Sequence, residues 1–489
     1  MSGELALLIV LAAPIAHALG VLALSRPPGL RDFVHIGFSL AAAVAAAFLL
    51  DAVAREDAVR IVLARPLPNV DLAFTVEPLG ALMAAVLAGL GALQAVHTVG
   101  FLRATQEKAS ARMMAFIALA SASTMAMALS ANLFTMFVAY QALILTTFPL
   151  VAHRADDEAH AAARSYLATL LAASAGLFLP AMVWTYAIAG ALEFQPGGVL
   201  AGRVDVVTAN VLLALFVLGL AIAAIPPLHR WLPVSSTAPF PALVSIQALA
   251  VLPAGCVGII KVAAFVFGQS VLQEASLVAR GLAVFVGVAM CVAALIALSR
   301  QDIRERLAYS AMAQALAAAM GALLALPAGL FASILQIVAL ACAAATLLMA
   351  SATVYAVTGR RDVGDYAGLG RIMPWTMAAF AIATASMIGM PPFAGAWAKL
   401  WLIAAASGAG LMVAAVLAGA AAVLTFAHLA PLAAGAFAGR APTDAFKRAD
   451  GASILLVAPV MLAAAATLWL LLRADPLADF LAPVWTLPQ

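Results

Sequence analysis

Lys399, Lys261, His97 and His428 place protonatable nitrogen inside long apolar runs of this chain. Burial disfavours an ammonium or imidazolium relative to its neutral form, and a nearby carboxylate restores it. Residues of these types in such places can load and release protons, so the chemistry on offer is movement of protons or small cations. Each also has a plainer reading. Lys261 stands near the outer end of its run, well past Pro241, where its aliphatic stem would carry the ammonium out to water. His97 and His428 are lone imidazoles, which in a helix bundle more often make one structural hydrogen bond than relay protons. Lys399 lies deeper, beyond Pro391-Pro392, and a functional, water-linked ammonium is expected there.

Other chemistries lack their residues. The chain shows no nucleotide-binding loop, metal-ligand cluster, haem motif or credible Ser/His/Asp frame. Its three cysteines, Cys256, Cys291 and Cys342, fall in apolar segments and read as small core residues rather than metal ligands or disulfides. The net charge of +3 gives no reason to expect nucleic acid. No cofactor is expected. If the chain serves an oxidoreductase, partner subunits hold the redox centres.

The elements that must position these residues follow from composition. The sequence is 66% hydrophobic and 10% charged, with a mean hydropathy of +1.10. No soluble domain needs that much apolar surface, so an all-α polytopic integral membrane protein is expected. Apolar runs of ~20 residues predict about fourteen transmembrane helices. Residues 1–112 would form three N-terminal helices with a hairpin outside the membrane at 55–78. A first repeat, helices four to eight, would occupy 113–268, and a second, helices nine to thirteen, 279–435. A last helix and tail would fill 453–489. Pro226-Pro227 and Pro391-Pro392 each interrupt an apolar run, with a tryptophan a few residues on. Proline removes a backbone donor and clashes with the preceding turn. Two broken helices in corresponding halves suggest inverted repeats around an ion path. Most of the 25 Lys and Arg fall in loops after odd-numbered helices, which places those loops in the cytoplasm and both termini outside. The N-terminus lacks a basic n-region, so the first apolar run is expected to remain in a multi-pass protein of the inner (cytoplasmic) membrane.

Leu228-His229-Arg230-Trp231-Leu232-Pro233, with Ala238-Pro239 and Pro241 after it, resembles a signature of the antiporter-like membrane subunits. These occur in respiratory complex I, Mrp-type cation/proton antiporters (the D-type subunit above all) and membrane-bound hydrogenases. Tyr140-Gln141-Ala142-Leu143, Asp302-Ile303-Arg304 with Leu307-Ala308-Tyr309-Ser310, and Met390-Pro391-Pro392 with Gly395 and Lys399 resemble further family segments, in the family's order. The likeness spans roughly residues 75 to 435. It implies a subunit of a multisubunit complex, with other membrane subunits and the lipid bilayer as neighbours and protons or Na⁺ as cargo. It also implies a mid-membrane line of titratable side chains, in which a glutamate on helix five sets the charge of a lysine on helix seven.

Several of those positions are substituted here. Gln141 stands in the glutamate's place and Ile222 in the lysine's. Gln247 and Pro253 replace a histidine and a lysine on helix eight. Ala339 and Ala343 fall where helix eleven usually carries a histidine and a lysine. Arg304 keeps a basic residue, and Lys399 survives on the broken twelfth helix. Gln141 and Gln247 retain the means to hydrogen-bond water or each other. Three readings stay open: a carrier using a shortened path through Lys399, a non-conducting structural subunit, and a stand-alone secondary transporter. The substitutions favour the second, and the match to subunits of complexes disfavours the third.

Overall fold

The computed structural model describes residues 1–439, 453–469 and 474–485. The basic stretch at 440–452 and the expected ends of the last helix and tail, 470–473 and 486–489, lie outside the described residues. Among the described residues the chain is a helical membrane bundle with one small β-hairpin. Ten helices are long and apolar enough to cross a membrane among the described residues.

The bundle begins with α1 (Gly3–Ala23) and α2 (Pro28–Ala54). The hairpin β1 (Arg60–Leu67) and β2 (Val70–Thr75) follows and pairs antiparallel, where the sequence suggested a hairpin. Next come α3 (Pro78–Thr105), α4 (Ser110–Ala128) and α5 (Leu133–Val151). Then α6 (Asp157–Ala189) runs as one span with a π-helical turn at Ser174–Phe178. It starts earlier than its apolar run, because Asp156 accepts from the Ala159 amide and Asp157 and Glu158 fill the first turn. Acidic residues there complete orphan donors and meet the positive end of the helix dipole, so polar residues extend the helix.

A short α7 (Val206–Gly219) leads into the first break, and α8 (Phe240–Glu274) follows it. Then come α9 (Ser276–Ser299), α10 (Ile303–Leu323) and α11 (Pro327–Thr358). The second broken segment is the pair α12 (Pro374–Ile388) and α13 (Ala394–Gly408). The bundle closes with α14 (Met412–Phe437), α15 (Ile454–Trp469) and α16 (Ala474–Leu481). Glu305 belongs to the first turn of α10, because Asp302 caps that helix through the Arg304 amide at 2.8 Å.

Burial ranks the helices. The apolar windows of α8 and α11 are entirely covered by the rest of the chain, whereas that of α2 is 28% covered. Those two helices are therefore the central column, and the outer helices turn residues such as Phe33, Leu19 and Val423 outward. In lipid an outward apolar face is matched to its solvent, so covered polar groups on the central column carry the information.

Both breaks are real, and each has its own construction. At the first, a 3₁₀ turn at Ala221–Ala223 follows α7, and the Ala221 carbonyl accepts from the Ala224 amide at 2.9 Å and from the Trp231 indole at 2.8 Å. The indole thus ties the segment beyond the prolines back to the turn that ends α7. Gly255 of α8 sits so close to Ile222 and Ala223 that any Cβ there would strike their backbone. At the second, Gly389 ends α12 with φ +93°, and the stem of Lys399 passes over the space a side chain would need. Pro391 and Pro392 stand exposed, uncovered by this chain.

Candidate ion-path residues

Lys399 lies on the first turns of α13 and points its ammonium into the bundle. Nζ donates to the Gln314 side-chain oxygen at 2.7 Å and to the Met387 carbonyl at 2.8 Å. Gln336, from α11, donates to the same Gln314 oxygen at 2.9 Å. Three helices thus converge on one acceptor, and the carbonyl comes from the end of α12, where the break frees it. Among the described residues Lys399 makes no ion pair with a carboxylate. An ammonium held only by neutral oxygens keeps the option of leaving as the free amine, because no counter-charge opposes proton loss. Gln336 Oε1 is buried without a partner.

Lys261 is not where its sequence position suggested. It is fully buried on α8, with Nζ 2.7 Å from Glu77 Oε1 and 2.9 Å from the Ser130 carbonyl. Phe194 covers it, with the ring centroid 5.1 Å from Nζ. The snorkelling expected for this lysine does not occur. Its helix is central, so the stem has no lipid-facing route to water, and a carboxylate at the start of α3 meets it instead. Glu77 escaped the sequence reading, although an acid directly before Pro78 and an apolar run was a usable signal.

The histidines separate. His97 Nε2 lies 2.9 Å from the Thr353 hydroxyl, a structural bond between α3 and α11. His428 is buried on α14, with Nδ1 2.9 Å from the Leu424 carbonyl. That bond fixes the proton on Nδ1 and leaves Nε2 buried without a partner. His428 does not reach Lys399. Its main-chain carbonyl instead accepts from Arg306 at 3.2 Å. Arg306, unremarked in the sequence, is a buried guanidinium that also donates to the Arg300 and Leu298 carbonyls, at 2.9 and 3.0 Å.

Arg304 belongs to a polar mouth, not to the interior. It pairs with Asp302 at 2.8 Å and lines a 760 Å³ cleft with Arg154, Arg230 and Arg361. Burial alone would raise the Asp302 pKa, but the hydrogen bonds and charge of Arg304, with the charge of Arg361, outweigh it and hold the carboxyl below its usual range.

The first half contains no charged cluster at the substituted positions. Gln141 accepts a bond from Ser174 at 3.3 Å, and its amide nitrogen is buried without a partner. Gln247 sits in a π-helical turn of α8 at Val244–Leu249, with both side-chain polar atoms buried and unpartnered. The two glutamines, on α5 and α8, do not bond each other. Ile222, Pro253, Ala339 and Ala343 are buried.

The profile of a family described as NADH:quinone oxidoreductase/Mrp antiporter, TM, matches residues 130–425, a stretch that contains both breaks and Lys399. The chain belongs to this family. NADH-quinone oxidoreductase subunit N of Desulforudis audaxviator is 30% identical over 248 residues, 49% of this chain and 48% of that protein. NADH-quinone oxidoreductase subunit L of Mycobacterium tuberculosis is 27% identical over 354 residues, 70% of this chain and 53% of that protein. The chain spans about half the length of the curated relatives it matches. In fold, a chain of the Mrp complex from Dietzia sp. DQ12-45-1b superposes with a TM-score of 0.84 at 24% identity, covering 99% of this chain and 97% of that one. This NADH:quinone oxidoreductase/Mrp antiporter family member is therefore an antiporter-like, multi-pass integral membrane protein, as its motifs implied.

Proposed function

We propose that this chain is a subunit of a multisubunit proton- or cation-translocating membrane complex, and that its second half retains a protonation site at Lys399 while the substituted positions of its first half no longer titrate. The observation that carries this reading is the Lys399 ammonium, turned inward onto Gln314 and the Met387 carbonyl with no carboxylate to neutralise it. Holding a charge on neutral groups at such a position is costly, and the cost is recovered where the site must release its proton. Proline-broken helices related as inverted repeats, odd loops in the cytoplasm and both termini outside complete the proposal.

A second reading, a non-conducting structural subunit, is favoured by Gln247, a buried amide without partners, and by Ile222, a buried alkyl group. Lys399→Ala in the purified, reconstituted complex separates the two. Loss of translocation with unchanged subunit composition supports the proton site. Undiminished translocation overturns it in favour of the structural subunit.

A further inference from the structure

Outside the family-matched region, α1 and α2 bring two histidines together. His17 Nε2 lies 2.7 Å from His35 Nδ1, and both rings are buried. An N···N distance this short requires one ring to donate and the other to accept. Two imidazoles in register between apolar helices offer more than either needs for packing. The outer nitrogen of His35, Nε2, is buried and has no partner.

One polar region lies a helical turn from His35, and another borders His17. One turn before His35, Asp32 accepts from Arg31 at 2.9 Å and from Arg103 of α3 at 2.8 Å, and Arg31 reaches Ser110 of α4 at 2.7 Å. These residues line a 440 Å³ cleft at that end of the bundle, together with Glu107. His17 borders an internal cavity of about 40 Å³ that Ser39, Gln94, Ser121 and Ser245 also line. A cavity of that size accommodates about three waters, and its hydroxyls and amide supply their partners. Gln94 donates to Ser245 at 2.8 Å. Ser245 shares the π-helical turn of α8 with Gln247, whose two polar side-chain atoms are unpartnered.

We propose that the His17–His35 pair is a proton-transfer site joining the Asp32 cleft to the internal cavity beside Gln94 and Ser245, and so to the first half of the bundle. The inference rests on the reading of the chain as part of a proton-translocating complex. A proton taken up at His35 Nε2 makes that ring an imidazolium. His35 then passes its Nδ1 proton to Nε2 of His17, and His17 releases its own Nδ1 proton to the cavity. One proton enters and one leaves, no net charge remains, and both rings have exchanged tautomers. Turning of the rings or a return hop resets the pair. The charged groups around it are Arg31 and Asp32 on α2 and Arg103 on α3. From α4 come the hydroxyls of Ser110 and Ser121, and from α3 the amide of Gln94. The path avoids Gln141 and Ile222 altogether.

The test uses the native complex carrying this chain, purified and reconstituted in proteoliposomes. His35→Gln keeps a hydrogen-bonding group toward His17 but cannot carry a proton through. Its translocation rate falls at least about a hundredfold, the low end of what a proton-transferring side chain contributes, while exposed His160→Gln leaves the rate unchanged. Lys399→Ala is run beside it. A drop for Lys399→Ala with no drop for His35→Gln overturns this inference alone. A drop for His35→Gln alone upholds the pair and overturns the proposed role of Lys399. No drop for either overturns both. Should His35→Gln fail to assemble, nitrogen-15 resonance on the wild-type complex decides. The pair is recognised by coupling across its N–H···N bond, since among the described residues no other histidine bonds a second imidazole. Exchange between tautomers or protonation between about pH 5 and 8 supports the relay, and a single fixed tautomer throughout overturns it.

Discussion

Lys261 Nζ and Glu77 Oε1 lie 2.7 Å apart, joining the centre of the bundle to the start of α3 beneath the β-hairpin. The same ammonium takes the Ser130 carbonyl from the α4–α5 connection, and Ala131 and Thr75 tie that connection to the hairpin through backbone bonds at 3.0 and 2.9 Å. The pair is thus the inner anchor of a small cap formed by the hairpin and its neighbours.

Removing one member of a buried ion pair strands the other, at a cost of about 3–5 kcal/mol. Glu77→Gln is therefore expected to lower the thermal midpoint of the detergent-solubilised protein strongly. The double variant Glu77→Leu/Lys261→Met should recover most of the loss. A single variant as stable as the wild type would show that the pair does not form.

Gln314 holds Lys399 as Glu77 holds Lys261, but without a charge. Gln314→Leu removes a hydrogen bond to an ammonium, worth about 1.5–3 kcal/mol, and also strands Gln336. Adding Lys399→Met should return much of that stability, because no unsatisfied charge is then left. Equal melting of the single and double variants would contradict the bonding at Lys399.

Asp302 gives a pH-dependent expectation. Its folded pKa lies below the ordinary value of 3.8, so its stabilising effect is complete above that value and is lost as pH falls through the lower, folded one. Asn caps a helix about as well as Asp, so Asp302→Asn removes the charge while keeping the cap on α10. The variant should melt earlier than wild type at neutral pH, and the gap should close on acidification below about pH 4. A gap independent of pH would assign the effect to shape alone.

Topology can be read from three single cysteines. Lys108→Cys and Gly364→Cys, in exposed connections after α3 and α11, should resist an impermeant thiol reagent added outside intact cells. Arg65→Cys, on the exposed hairpin, should react with it. The reverse pattern would invert the orientation.

Much of the fold was legible because lipid solvation imposes long apolar runs and punishes every freed backbone group. Pro226-Pro227 and Pro391-Pro392 therefore announced both breaks. The candidate site was legible in part. Lys399 stood out as a charge in an apolar run, but its partners, Gln314 and Gln336, are neutral and carry no such signal. Lys261 was misread because position along a helix says how near an end a residue lies, not whether its helix is central or peripheral. Glu77, His17 and His35 were missed for a related reason: each acquires meaning only when another element, distant in sequence, is packed against it.

Arg306 has a consequence for how this region varies over evolution. Its guanidinium is held by the main-chain carbonyls of Arg300, Leu298 and His428. Every residue offers a carbonyl, so side-chain changes at those three positions leave its bonds available. The contact should therefore produce no covarying partner in a comparison of relatives, and no second-site change of side chain can compensate for its loss. Fixity at Arg306 alone, with free drift in the residues it touches, is the trace such a contact leaves.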